Sequence, residues 1–186
     1  MACSAPSFGR ARCRDLTSLL DTFHAAAATS NLEVWAGCFL SANSRFLGTD
    51  MAENWTAQNA VETFAPHFAK STCAWNYVPV PGSRIIEVFD GNAFATFDEG
   101  LKSESFRCTS RGTGVAVRGP DDCWFLQQYY LSFPIPNPLA KKMCGEIADW
   151  EAKSAADKAV ADLLAAEETG SGSGGGSASK KKGGKR

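Results

Sequence analysis

"AFATFDEGL", residues 93–101, begins as a β-strand and then places two carboxylates side by side. Ala93 through Phe97 suit a pleated, half-buried surface. Asp98 and Glu99 follow, and Leu101 resumes the apolar pattern. Successive strand residues point to opposite faces of a sheet. One carboxylate therefore faces the interior, where it needs a partner or a chemical role, and the other faces out. Asp98 shares a face with Phe94 and Thr96, and Glu99 shares one with Ala93, Ala95, Phe97 and Leu101. The second set is the more apolar, but a bulge would reverse the assignment.

The stretches around it set the architecture. Strands are expected at 74–79, 83–89, 93–101, 105–118 and 124–133, separated by "PVPGS", "DGN" and "GPDD", which carry turn chemistry. Strands at such short spacing pair antiparallel. Helices come first. Leu16, Leu19, Leu20 and Phe23 form an i, i+3, i+4, i+7 stripe, which predicts a helix over 15–29 with His24 at the stripe's edge. A short helical piece is expected at 32–39 and a short strand at "SRFLGT" (44–49), followed by "DMAEN" as a turn. A third helix starts after Thr56, a suitable N-cap, and Pro66 should kink or end it. Helices followed by a run of strands define an α+β layout, with helices on one face of a curved antiparallel sheet.

"FPIPNP" (133–138) stops the sheet, and 139–168 reads as a helix rich in Ala, Lys, Glu and Leu. Residues 1–14 are expected to be a flexible arm, and 169–186 a disordered Gly/Ser linker with the basic tail KKKGGKR. The 186 residues carry a formal net charge of −1, and five positive charges sit in that tail, so the remainder is acidic. Nucleic-acid binding therefore rests on the tail alone and would be weak and salt-sensitive. No apolar run reaches membrane-spanning length, and no secretory signal opens the chain. Seven cysteines, with no C-x-x-C spacing, read as reduced thiols of a cytoplasmic protein, with nuclear and organellar placement left open. Two histidines and no clustered ligands argue against a metal site, and no phosphate loop or nucleophile elbow calls for a cofactor.

Within this frame some polar residues are candidates for chemistry. His24 is the best acid–base group, because a free imidazole titrates near neutrality. Arg111 stands in "SRGTG", beside Gly112 and Gly114, which leave little side chain on the opposite face. Arg111 should meet whichever of Asp98 and Glu99 faces inward, either as a structural pair or as an oriented anion- or carbonyl-binding group. Asp50 and Glu53 lie in "GTDMAEN", next to Trp55. Asp50 is either ordinary turn chemistry or a general base at the rim of a pocket.

"FHAAAATSNLEVWAGCF" (23–39), "FLGTDMAENW" (46–55) and "FDEGL…SRGTGVAVR…CWFLQQYYLSFPIPN" (97–137) resemble, in this order, the SnoaL-like branch of the nuclear transport factor 2 superfamily. The likeness covers roughly residues 15–138. It implies a cystatin-like α+β roll: a cone-shaped curved sheet wrapped around the long first helix, with a pocket open at one end. It implies a homodimer formed through the outer sheet face. Some relatives are ketosteroid isomerases, dehydratases and polyketide cyclases, and many are binding or assembly modules without chemistry. In relatives the face bearing Trp124 points into the cone, which makes Gln128, Tyr130 and Ser132 pocket residues. The isomerase-like relatives place a working carboxyl near Asp98 and Glu99. Two readings follow. In one, the cone binds an apolar, carbonyl-bearing small molecule, oriented by Trp55, Glu99, Arg111, Gln128, Tyr130 and Ser132, with His24, Asp50 and Asp98 available for cofactor-free proton transfer. In the other, aromatic side chains fill the cone, and the sheet face, C-terminal helix and tail attach the protein to a larger assembly.

Overall fold

The computed structural model describes residues 7–170 apart from positions 71, 90 and 92. The chain divides into two units, one ending at Pro134 and one beginning at Ile135.

In the first unit, α1 (Leu16–Ala28) starts where Asp15 Oδ1 accepts the Ser18 amide at 2.8 Å, and these hydrogen bonds from Ser18 hold the Asp15 carboxyl below its usual range. Its apolar stripe is buried from Leu16 to Ala27, with His24 on the same side. Asn31 caps α2 (Leu32–Gly37), whose Trp35 is 1% exposed. β1 (Arg45–Leu47) and β2 (Asn54–Thr56) form a small hairpin. Thr56 Oγ1 then accepts the Asn59 amide at 3.2 Å and opens α3 (Ala57–Lys70).

Pro66 does not end α3, which continues to Lys70. A proline costs one intrahelical hydrogen bond. Here the last turn is anchored on both sides of it, because the Phe64 and Phe68 rings each pack against Trp35 and Trp75. The expected strand at 74–79 shrinks to β3 (Val78–Pro79). The backbone just before β3 is used elsewhere, since the Ala74 and Trp75 amides both donate to Ala27 O at the end of α1.

β4 (Ile85–Phe89), β5 (Phe94–Ser103), β6 (Phe106–Arg118) and β7 (Trp124–Ser132) complete a curved, open sheet of order β2-β1-β7-β6-β5-β3, with β4 also paired to β5. All pairings are antiparallel except β1 on β7. The core lies between α1–α3 and the inner sheet face, with Phe39, Phe97, Leu101 and Leu126 all at or below 2% exposure. The segment before α1, expected to be a free arm, is tied down from Gly9 to Cys13: the Gly9 amide donates to Phe39 O, and Cys13 O accepts the Trp124 amide.

One irregularity re-aims β7. Val115 pairs with Gln128, but Ala116 pairs with Leu126, so Gln127 is an extra residue. Before this bulge Leu126 faces the core; after it Tyr129 and Leu131 do, at 2% and 8% exposure. Gln128, Tyr130 and Ser132 therefore lie opposite Val115, Thr113 and Arg111 on the outer face. Simple alternation from Trp124 predicts the reverse.

The second unit is α4 (Asn137–Gly170), 34 residues with a Lys142–Glu146 pair at 3.7 Å. The helix extends over Glu168, Thr169 and Gly170, and residues 171–186, including the basic tail, lie outside the described residues.

Candidate functional site

β5 resolves the paired carboxylates. Glu99 points inward with Phe97 and Leu101, and its side chain has no solvent exposure. Asp98 points outward, opposite Thr113. The inward carboxylate does not meet Arg111. Its Oε1 lies 2.6 Å from His24 Nε2 on α1. Its Oε2 accepts Arg84 Nε at 2.8 Å, with Arg84 Nη2 at 2.7 Å. Arg84 sits just before β4 and reaches across to α1, where its Nη1 is 2.9 Å from Asp21 Oδ1 and donates to Thr17 O. Burial works against the Arg84 charge, but the hydrogen bonds and charges of Glu99 and Asp21 outweigh it and raise its pKa. Asp21, Arg84, Glu99 and His24 thus form one line from solvent into the core.

Arg111 occupies the outer face. It clasps Asp98 through Nε at 2.8 Å and through Nη2, and 55% of its side chain is exposed. These hydrogen bonds lower the Asp98 pKa and raise that of Arg111. The geometry moves Asp98, Arg111, Gln128, Tyr130 and Ser132 away from the interior. The pairing argument aimed Arg111 there and left the choice between Asp98 and Glu99 open; the last three were aimed there by an alternation that the bulge breaks.

Above His24 lies a cavity of about 410 Å³, of the size that takes a small organic molecule. His24, Phe23 and Trp35 form one part of its wall, and Tyr129 and Leu131 of β7 another. The turn after β1 contributes Gly48, Thr49 and Glu53, and Trp55, Phe64, Trp75, Tyr77 and Phe106 are also in the lining. Trp55 thus lines the cavity. Asp50 is not in this wall: it is exposed, and its Oδ1 accepts the Ala52 amide at 2.8 Å. Its neighbour Glu53 faces the cavity instead and accepts the Asp50 amide at 3.1 Å. His67 is exposed on α3.

The inner face of β6 makes room for the Tyr129 ring. Gly112 and Gly114 stand opposite Leu131 and Tyr129. A Cβ on Gly112 would strike the Tyr129 hydroxyl, and one on Gly114 would come within 2.8 Å of the Phe97 ring and collide with Gln128 O. Burial, then the Glu99 charge, pushes the Tyr129 pKa well above its ordinary value, so the phenol stays a hydrogen-bond donor. Its hydroxyl has no hydrogen-bond partner among the described residues. Burial, with Glu53 next, also raises Tyr77, to about 12.

Sequence reasoning missed Arg84, Tyr129 and Tyr77. Arg84 had a signal: an arginine between the "PGS" turn and the apolar "IIEVF" of β4. Tyr129 was hidden by the bulge. Among the described residues, no group of His, Cys, Asp and Glu has the grouping needed to hold a metal ion, the cysteines form no disulfide, and no helix is long and apolar enough to cross a membrane.

Residues 16–136 match the model of the SnoaL-like domain family, and the chain belongs to that family. The solved structures it resembles include a protein of unknown function from Pectobacterium atrosepticum (14% identity, 65% of this chain and 89% of that one, TM-score 0.52). A candidate ketosteroid isomerase from Parabacteroides distasonis is similar at 14% identity, over 65% of this chain and 86% of that one, with a TM-score of 0.50. A candidate scytalone dehydratase from Novosphingobium aromaticivorans is similar at 11% identity, over 66% and 83%, with a TM-score of 0.50. At such identities the likeness is one of fold. No curated protein matches the sequence.

Proposed function

We propose that the SnoaL-like unit binds an apolar, carbonyl-bearing small molecule in its cavity and moves a proton on it without a cofactor, as an isomerase, cyclase or dehydratase does. One observation carries this reading: His24 stands in the cavity wall with its Nε2 held by a fully buried carboxylate. Glu99, anchored by Arg84, accepts the Nε2 proton and leaves Nδ1 as the basic nitrogen. Nδ1 takes a proton from carbon next to the ligand carbonyl, and Glu99 stabilises the resulting imidazolium. The Tyr129 hydroxyl donates to the carbonyl oxygen as negative charge develops there. The proton then returns to another carbon, or to a departing hydroxyl. The two neighbours named for isomerase and dehydratase chemistry support this by analogy of fold alone.

Native mass spectra compared with denatured spectra test the binding, by revealing a small molecule carried by the purified protein. Deuterium uptake from D₂O into a panel of enolisable cyclic ketones tests the chemistry. We expect uptake in the wild type and a loss of about 100-fold or more in His24→Ala, the usual contribution of a positioned base. Uptake that survives in His24→Ala removes the dyad from the reading.

A second reading, an assembly module, draws on exposed apolar groups. On α4, Trp150 and Leu163 are 65% and 67% exposed. On the first unit Val88, Phe89 and Phe94 are exposed, with the Phe89 and Phe94 rings stacked at 5.2 Å. A homodimer through the sheet face belongs to this reading. Sedimentation of the full chain and of Phe94→Glu tests it: a dimer that the variant dissociates supports it, and a monomeric wild type removes it.

A further inference from the structure

The cavity's charges do not suit an anion. Among the described residues no lysine or arginine lines it, and Glu53 does. The other carboxylates near the site are matched by an arginine: Arg84 pairs with both Glu99 and Asp21. Glu53 has no ion-pair partner among the described residues; its Oε2 accepts only a backbone amide.

Around Glu53 the walls are aromatic. Trp55 meets Phe64 edge-to-face at 5.1 Å, and Phe64 meets Trp75 edge-to-face at 4.7 Å. Phe46 stacks on Trp55 at 6.2 Å. Rings set nearly at right angles form adjoining walls of a box, as do Trp55, Phe64 and Trp75, with interplanar angles of 81° and 82°. Tyr77 lines the same cavity, and Glu53 is close enough to raise its pKa. Ring faces carry negative charge density and attract weakly hydrated cations, alkylammonium groups above all.

We infer that this cavity selects a ligand bearing an alkylated ammonium group, boxed by Trp55, Phe64, Trp75 and Tyr77 and neutralised by Glu53. The inference rests on the cavity being a ligand site, and it names the chemical class that the site takes. The ligand then has a cationic end toward the β1–β2 turn and an apolar body along the aromatic walls. An ammonium group meets there a half-buried carboxylate that has no ion-pair partner among the described residues. A neutral ligand of the same shape leaves it so.

The test compares phenyltrimethylammonium with tert-butylbenzene, its neutral isostere, by quenching of tryptophan fluorescence in the full-length protein. Trp35, Trp55 and Trp75 all line the cavity and report occupancy. We expect the cation to bind about tenfold or more tightly than the isostere, from cation–π and carboxylate attraction together. In Glu53→Gln, which keeps an acceptor for the Asp50 amide, that preference should fall to a few-fold. Circular dichroism confirms that this variant is folded. If the isostere binds as tightly as the cation, the ammonium inference is overturned while the cavity stands as a ligand site. If the preference is unchanged in folded Glu53→Gln, the assignment to Glu53 is overturned. If neither probe binds, the inference fails together with the ligand-site reading.

Discussion

On the outer face of β5, Asp98 meets Arg111 with 30% and 55% of their side chains in solvent; on the inner face, Glu99 meets His24 and Arg84 with none of its own. The two carboxylates are consecutive, and each is held by an arginine. Their surroundings give them different physics. Water and salt screen the outer pair, and its two side chains lose entropy to hold one geometry. The inner carboxylate has lost its water and depends on its partners for charge compensation. The lesson is that an acid–arginine pair acquires a role from burial and from what else touches it. Only the inner one has an imidazole between it and a cavity.

The comparison is broken most directly by Glu99→Ala. Removing the inner carboxylate leaves the His24 ring nitrogen without its partner and Arg84 with only its contacts to α1 (Asp21 and Thr17), and should cost about 3–5 kcal/mol in urea unfolding. A loss below about 1 kcal/mol would put the inner group on the same footing as the outer one. Gly114→Ala sharpens the contrast between faces. Its Cβ meets Gln128 O and the Phe97 ring, so it should lose about 1–3 kcal/mol. Thr113→Val on the outer face should stay within about 0.5 kcal/mol, as surface substitutions do. Asp98→Asn on the same face should cost only about 0.2–1 kcal/mol at pH 7 and less at high salt. Arg111 depresses the Asp98 pKa, so the pair stabilises the fold above the unfolded carboxylate value of about 3.9. That contribution fades as pH falls through the lower folded value. The gap between Asp98→Asn and wild type should therefore close in acid, and a gap that widens there would contradict the assignment.

Much of this was legible. The Leu16–Phe23 stripe gave α1 and placed His24 at its edge, because a 3.6-residue period is written in the spacing. The family resemblance carried the sheet. Adjacent carboxylates in a strand had to part, but which of the two turned inward stayed open, because a bulge in β5 would reverse the assignment that Glu99's apolar company suited. The partners were not legible. Arg84 is fifteen residues from Glu99 and meets it because β4 pairs with β5 in one particular register, which no local pattern states. β2 was missed because its three residues lie between a turn and a helix cap. Gln127 and Gln128 are identical, as are Tyr129 and Tyr130, so nothing local marks where the bulge falls.

That bulge has a genetic consequence. Loss of the single codon for Gln127 removes the extra residue and leaves Leu126 opposite Ala116 and Gln128 opposite Val115, so every side chain of β7 keeps its face. The same loss within a regular strand would turn over everything that follows it. The wall of phenol and leucine therefore tolerates an in-frame deletion at this one place. Lineages of this fold can differ in the length of β7 here and still present the same side chains to the cavity.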